Sequence, residues 1–255
     1  MVESQNAKSK TSDQPSDQGR RMFLKTMIVV AAGAALAGVL KGVVSEIIAP
    51  QVGLSSFPTL QLVNSAGTPI KYGDIPVNTP TTWLFYYPLS NDPNFLLKLG
   101  DKNGNPISVG PASVTIPADG STFVFPGGVG PERSQSIVAY SAICQHLGCV
   151  PPEIHYYPPG QAIPGTPYGA AQNNYGIIHC SCHGSTYDPK SGCAVLTGPT
   201  SRPLPNTILR YNQDGTISAV GMIGPTIYGK ASDLTGGTPF PAGQVTTVVT
   251  NTGEA

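Results

Sequence analysis

Apolar residues along this chain come in short runs, rich in β-branched and aromatic side chains and broken by Gly, Pro, Asn, Asp and Ser. Such runs fit a pleated, half-buried surface better than a helical face. They predict strands over Leu60–Val63, Thr81–Tyr87, Phe95–Leu99, Ser113–Ile116, Thr122–Phe125, Ser136–Ala142, Tyr175–His179, Ala194–Thr197, Thr207–Tyr211 and Thr216–Val220. Asn103-Gly104-Asn105 reads as a hairpin turn, and Asn212–Gly215 turns the last two strands into a closing hairpin. Trp83, Phe85, Tyr86 and Tyr87 crowd one strand and read as core and sheet-face residues. The expected class is all-β and antiparallel.

The N-terminal stretch departs from this pattern. Residues 1–19 are polar with little to bury, and read as disordered. Arg20-Arg21-Met22-Phe23-Leu24-Lys25 then precedes an apolar run, Met27–Leu40, which reaches Val44 if it passes Lys41. This is short for a hydrocarbon core of about 30 Å, though Lys41 can snorkel at the far interface. Residues 20–44 resemble a twin-arginine export signal and are read as a retained single transmembrane helix. A Sec signal or plain anchor is the alternative. The basic residues place the N-terminus in the cytoplasm and the rest outside, so the expected location is the cell membrane with an extracytoplasmic head. Residues 45–58, with Pro50, Gly53 and Ser55-Ser56, read as a tether. Residues 59–224 form the main domain, and the Gly-, Pro- and Thr-rich residues 225–255 a C-terminal extension.

Composition narrows the choices. The chain has 255 residues, no net charge and only 11% charged residues, so it offers no basic field for nucleic acid. Gly 30 and Pro 26 suit a loop-rich β protein.

Two short loops carry the candidate chemistry: Cys144-Gln145-His146-Leu147-Gly148-Cys149 and Cys180-Ser181-Cys182-His183-Gly184-Ser185. Each offers Cys and His at metal-ligand spacing. Two thiolates with two imidazoles suit zinc, or a [2Fe–2S] cluster with Cys on one iron and His on the other. Together with Tyr187, the two boxes resemble those of a Rieske iron–sulfur protein of cytochrome bc-type quinol oxidases. That resemblance implies one [2Fe–2S] cluster per subunit, with Cys144 and Cys180 on the inner iron and His146 and His183 on the outer. It implies a disulfide between Cys149 and Cys182, and sulfur hydrogen bonds from Ser185 and Tyr187 that raise the potential. Gly198 and Pro199 match a proline loop which, with Leu147, covers the cluster. The implied fold is an antiparallel β sandwich with a small cluster-binding subdomain over about residues 140–205.

The function implied is one-electron oxidation of a membrane quinol, with His146 or His183 taking the proton. The partners implied are a cytochrome b-type subunit and a cytochrome or copper-protein acceptor. Charge favours the reduction: two thiolates on a ferric pair with two sulfides leave a neutral site, whereas four would leave a dianion. The alternatives are the small Rieske subunit of an exported oxidase such as arsenite oxidase, and a structural zinc module. A disulfide implies an oxidising compartment. Among the remaining residues, Cys193 reads as a small buried hydrophobe, with a redox-active or dimerising thiol as its alternative. His155 reads as a loop histidine, and His179 points away from Cys180 if its strand is extended. Residues 150–174, holding Pro151, Pro152, Pro158, Pro159, Pro164 and Pro167, read as an insertion longer than in the mitochondrial-type head.

Overall fold

The structure is a computed structural model that describes residues 57–229, 240 and 244–251. The signal, the anchor over 20–44 and most of the tether lie outside the described residues. Among the described residues, no helix is long and apolar enough to cross a membrane. The chain there is almost entirely strand and loop, with two single-turn 3-10 helices at Tyr72–Asp74 and Pro189–Ser191.

The strands are β1 (Leu60–Val63), β2 (Thr82–Tyr86), β3 (Pro93–Lys98), β4 (Ala112–Thr115), β5 (Thr122–Phe125), β6 (Ile137–Ser141) and β7 (Ile154–Tyr157). They continue with β8 (Ile177–Cys180), β9 (Ser185–Asp188), β10 (Ala194–Thr197), β11 (Asn206–Tyr211), β12 (Ile217–Ile223), β13 (Val245–Thr247) and β14 (Val249–Asn251). Eight of them form one sheet in the order β13-β1-β12-β11-β6-β3-β2-β14. A four-stranded sheet, β10-β9-β8-β7, and the hairpin β4-β5 complete the fold.

The large sheet separates two cores because its central strands alternate between them. On β6, Val138 and Tyr140 enter one core while Ile137 and Ala139 enter the other. On β3, Phe95 and Leu97 join the first and Leu96 the second. The first core is shared with the small sheet through Ile154, Tyr156, Ile178 and Tyr187, and with the hairpin through Val114, Phe123 and Phe125. This contact fixes the small sheet against the large one. Tyr140 adds a polar tie, since its hydroxyl donates to the Pro189 carbonyl at 2.6 Å.

The second core is enclosed as the large sheet curls until its ends meet. β13 runs parallel to β1, and β14 runs antiparallel to β2. The Thr246 hydroxyl donates to the Tyr86 carbonyl at 2.8 Å, and Val248 N–H donates to the Val63 carbonyl at 2.7 Å. The C-terminal segment, uninformative as sequence, thus supplies two strands of the main sheet.

The two loops are carried differently. Only the second is a hairpin, joining β8 to β9. The first leaves β6 in the large sheet and enters β7 in the small one. The loops are neighbours because β7, within the proline-rich insertion, pairs with β8 and sets Ile154 opposite Cys180.

Candidate metal centre

The two loops use the same turn. Gly148 N–H donates to the Cys144 carbonyl at 2.9 Å, and Gly184 N–H donates to the Cys180 carbonyl at 3.0 Å. Both glycines adopt positive φ, 83° and 91°, which reverses the chain at little steric cost only where there is no Cβ. Neighbouring backbone ties the loops down. Cys144 N–H donates to the Cys149 carbonyl at 2.8 Å, and Ser181 N–H donates to the Glu153 carbonyl at 2.8 Å. Cys149 and Cys182 are joined by a disulfide, so the bridge between the loops is present as expected.

These turns gather the predicted donors. Cys144 and Cys180 are free thiols, each 1% exposed. The rings of His146 and His183 face one another at 4.8 Å, inclined by 81°. The two imidazoles differ in exposure: His146 is half-buried and His183 exposed. His146 Nδ1 is buried with no hydrogen-bond partner in the protein. A buried ring nitrogen without a partner is costly unless something else takes its lone pair, and a metal ion does so.

The thiols are tuned as a pair. A hydrogen bond from Cys180 pulls the Cys144 thiol down to about 6, against the opposing effect of burial, with Tyr187 helping. The same contact with Cys144, together with burial, pushes Cys180 up. The pair therefore gives up one proton readily and resists losing the second. Thiolate is the form that binds metal, so two buried thiols and two facing imidazoles fit a Cys2His2 donor set.

Two hydroxyls border these donors. Tyr187 Oη accepts from Gln145 N–H at 3.2 Å and lies 3.3 Å from Cys144 Sγ. Its own proton is therefore free to donate to sulfur. Burial, and then the charge on Cys144, raise the Tyr187 pKa, which keeps that proton in place. Ser185 is fully buried, and its Oγ accepts from Thr200 N–H at 3.1 Å. Its proton is likewise left for an acceptor inside the site. Thr200 belongs to the predicted proline loop, which is held to the β4–β5 turn by Ala118 N–H donating to the Ser201 carbonyl at 2.9 Å.

Leu147, Gly198 and Pro199, expected to cover the site, all lie at the surface, with Leu147 54% exposed. Gln145 and Thr200 were not singled out in the sequence. They act through backbone N–H groups, which carry no side-chain signature. His179 is directed as expected, away from Cys180: it is paired opposite His155, with its ring 5.8 Å from that of Tyr157. His155 is not a loop residue but lies within β7. Cys193 is fully buried in the core shared by the two sheets, and burial raises its thiol pKa well above the usual value. That matches the small-hydrophobe reading and rules out a dimerising thiol.

Residues 110–208 match the family described as Rieske [2Fe-2S] domain. The cytochrome bc1 complex Rieske iron-sulfur subunit of Streptomyces lividans is 33% identical over 87 residues, 34% of this chain and 41% of that one. A Haloferax mediterranei protein, named as the Rieske subunit of a respiratory nitrate reductase, is 30% identical over 83 residues, 32% of this chain and 29% of that one. The chain thus spans less than half the length of these curated relatives. The crystal structure of the soluble domain of the Rieske protein II from Sulfolobus acidocaldarius is 27% identical, with a TM-score of 0.45, covering 74% of this chain and 89% of that one. Residues 110–208 of this chain thus carry a Rieske [2Fe-2S] domain, a domain whose bound group is a [2Fe–2S] cluster.

Proposed function

We propose that this chain is the electron-transfer subunit of a quinol-oxidising complex of the bc type. Cys144, His146, Cys180 and His183 would hold the cluster, which when bound supplies a one-electron acceptor. The observation that carries the reading is the unequal pair of imidazoles. His146 is half-buried with an unpartnered inner nitrogen, while His183 opens to solvent. His183 can therefore accept a hydrogen bond from a quinol hydroxyl and take its proton. Leu147, Gly198 and Pro199, all at the surface, would offer a quinol or a partner subunit area to cover beside the histidines. Between residues 134 and 201 the charged side chains are only Glu153, Asp188 and Lys190. The stretch carrying both loops is thus poor in charge, which suits an apolar substrate better than electrostatic steering.

Ser185 and Tyr187 would raise the potential by donating to sulfur, because such bonds strengthen as negative charge develops. The second electron would leave through a cytochrome b-type subunit, and the acceptor would be a cytochrome or copper protein. Residues 20–44 would anchor the chain at the cell membrane, with the head outside. The test is to mix the purified, cluster-loaded chain with a short-chain quinol and follow the cluster spectrum. Rapid bleaching that slows as the pH is lowered supports the proposal; no bleaching in the presence of excess quinol overturns it.

The Haloferax relative motivates a second reading, a Rieske subunit attached to a different exported oxidoreductase such as an arsenite oxidase. Metal analysis of the complex isolated from its native membrane separates the two. Haem b supports the first reading, and molybdenum without haem b supports the second.

A further inference from the structure

Asparagine is disfavoured both in strands and in cores, yet Asn206 opens β11 and is only 1% exposed. A buried amide is kept where its hydrogen bonds offset its desolvation. Asn206 Nδ2 donates to two carbonyls, that of Leu204 at 2.8 Å and that of Gly192 at 3.0 Å. Its Oδ1 is buried and has no hydrogen-bond partner in the protein. The use of this side chain therefore lies on its nitrogen.

The two carbonyls stand at the two ends of one excursion of the chain. Gly192 closes the 3-10 turn at Pro189–Ser191 in a left-handed conformation, and Leu204 is fully buried. Between them, residues 193–203 run out along β10, turn at Gly198-Pro199 and return through Thr200. A single amide group thus ties the neck of this loop. The outgoing limb has a second hold, since β10 is paired to β9 as far as Thr197. The returning limb belongs to no strand. Its tip touches the second donor loop, where Thr200 N–H donates to Ser185 Oγ at 3.1 Å, and Ala118 N–H holds the Ser201 carbonyl.

We propose that Asn206 is a positioning residue for the cluster site, acting through Thr200 on Ser185. A hydroxyl has one proton and two lone pairs. While Thr200 N–H occupies a lone pair of Ser185 Oγ, the Ser185 proton is directed into the site. With the neck untied, the returning limb must be ordered by its tip contacts alone, and a longer open loop costs more entropy to hold. Thr200 then leaves Ser185 part of the time and the hydroxyl turns elsewhere. The inference rests on the reading of Ser185 as a donor to cluster sulfur.

The test compares four cluster-loaded full chains: the natural sequence, Ser185→Ala, Asn206→Leu and the double variant. Leucine keeps the volume of asparagine and removes the donor. The midpoint potential and the hydrogen exchange of backbone amides are measured in each. Asn206→Leu should lower the potential in the same direction as Ser185→Ala. The amides of residues 198–204 should exchange faster while those of β3 do not change. The double variant should have the potential of Ser185→Ala alone, because both substitutions remove the same hydrogen bond to sulfur. An unshifted potential in Asn206→Leu, where Ser185→Ala has shifted, overturns the proposal, as does a double variant whose shift is the sum of the two. If Ser185→Ala leaves the potential unmoved, the reading of Ser185 falls; the tie at the neck is then judged by exchange alone, and unchanged exchange over 198–204 overturns it. Should Asn206→Leu not retain its cluster, Asn206→Ser, which is smaller and admits water to the freed carbonyls, is held to the same outcomes.

Discussion

The two donor loops have the same internal turn and unlike settings. Each sets a buried cysteine carbonyl against the N–H of a positive-φ glycine four residues on. The first bridges two sheets; the second is a hairpin within one. From that follows the difference in their histidines. His146 is half-buried on the first loop, and His183 is exposed on the second. The lesson is that one local motif, used twice, yields two chemically equal imidazoles with unequal access. The proposed division of labour, His183 toward substrate and His146 toward the interior, comes from tertiary setting and not from the motif.

The strongest way to break the comparison is through the thiols. Cys144→Ser and Cys180→Ser should each abolish bound iron and acid-labile sulfide, since each loop gives one buried sulfur. Full iron content in either variant would end the symmetric assignment. Removing the strap comes next. Cys149→Ser should lower unfolding free energy by about 2–5 kcal/mol in denaturant titrations and speed cluster loss, and an unchanged midpoint would count against its role. The hydroxyls then test tuning. Tyr187→Phe and Ser185→Ala should each lower the midpoint potential by roughly 50–130 mV, the equivalent of about 1–3 kcal/mol for a hydrogen bond to a charged acceptor, with iron content retained. Unmoved potentials in both variants would remove the tuning role.

The glycines sharpen the comparison at smaller energies. Gly184→Ala meets no atom within 4 Å and should cost only its positive-φ strain, about 1 kcal/mol. Gly148→Ala has the same strain, and its Cβ would fall 2.9 Å from the Tyr228 ring. Its loss of stability should be visibly larger, and equal losses would show that the ring simply moves aside. The smallest expected effect is in pH. Burial holds His155 below its usual 6.5, so the unfolded chain binds the proton more readily. Its contribution to stability is present above about 6.5 and is lost as pH falls through the lower folded value. His155→Gln should flatten the stability profile of the loaded chain on that acid side, and an unchanged slope would remove His155 as a cause.

Much of this was legible in the chain. Leu60–Val63, Thr122–Phe125 and Ala194–Thr197 are strands with the expected bounds, because β-branched and aromatic residues flanked by turn formers leave little choice. The candidate donors stood out too, since cysteine and histidine at tight spacing have few uses. β7 was hidden among prolines, and its pairing to β8 is a long-range contact that local pattern cannot show. β9 was masked by its own chemistry: Ser185 and Tyr187 drew notice as hydroxyls while also forming strand. β13 and β14 are short, polar-flanked segments whose place depends on the curl of the whole sheet. The support for Tyr187 and Ser185 from Gln145 and Thr200 passes through backbone amides and leaves no mark in residue identity.

The central claim is that a histidine-bearing site couples one electron to one proton. The most direct test is the midpoint potential of the cluster-loaded full chain, measured by protein-film voltammetry across pH. A high potential that is level in acid and falls as pH rises is the predicted result, because an imidazole would then hold its proton in the reduced state and release it in the oxidised one. A low potential that does not change with pH would contradict the account.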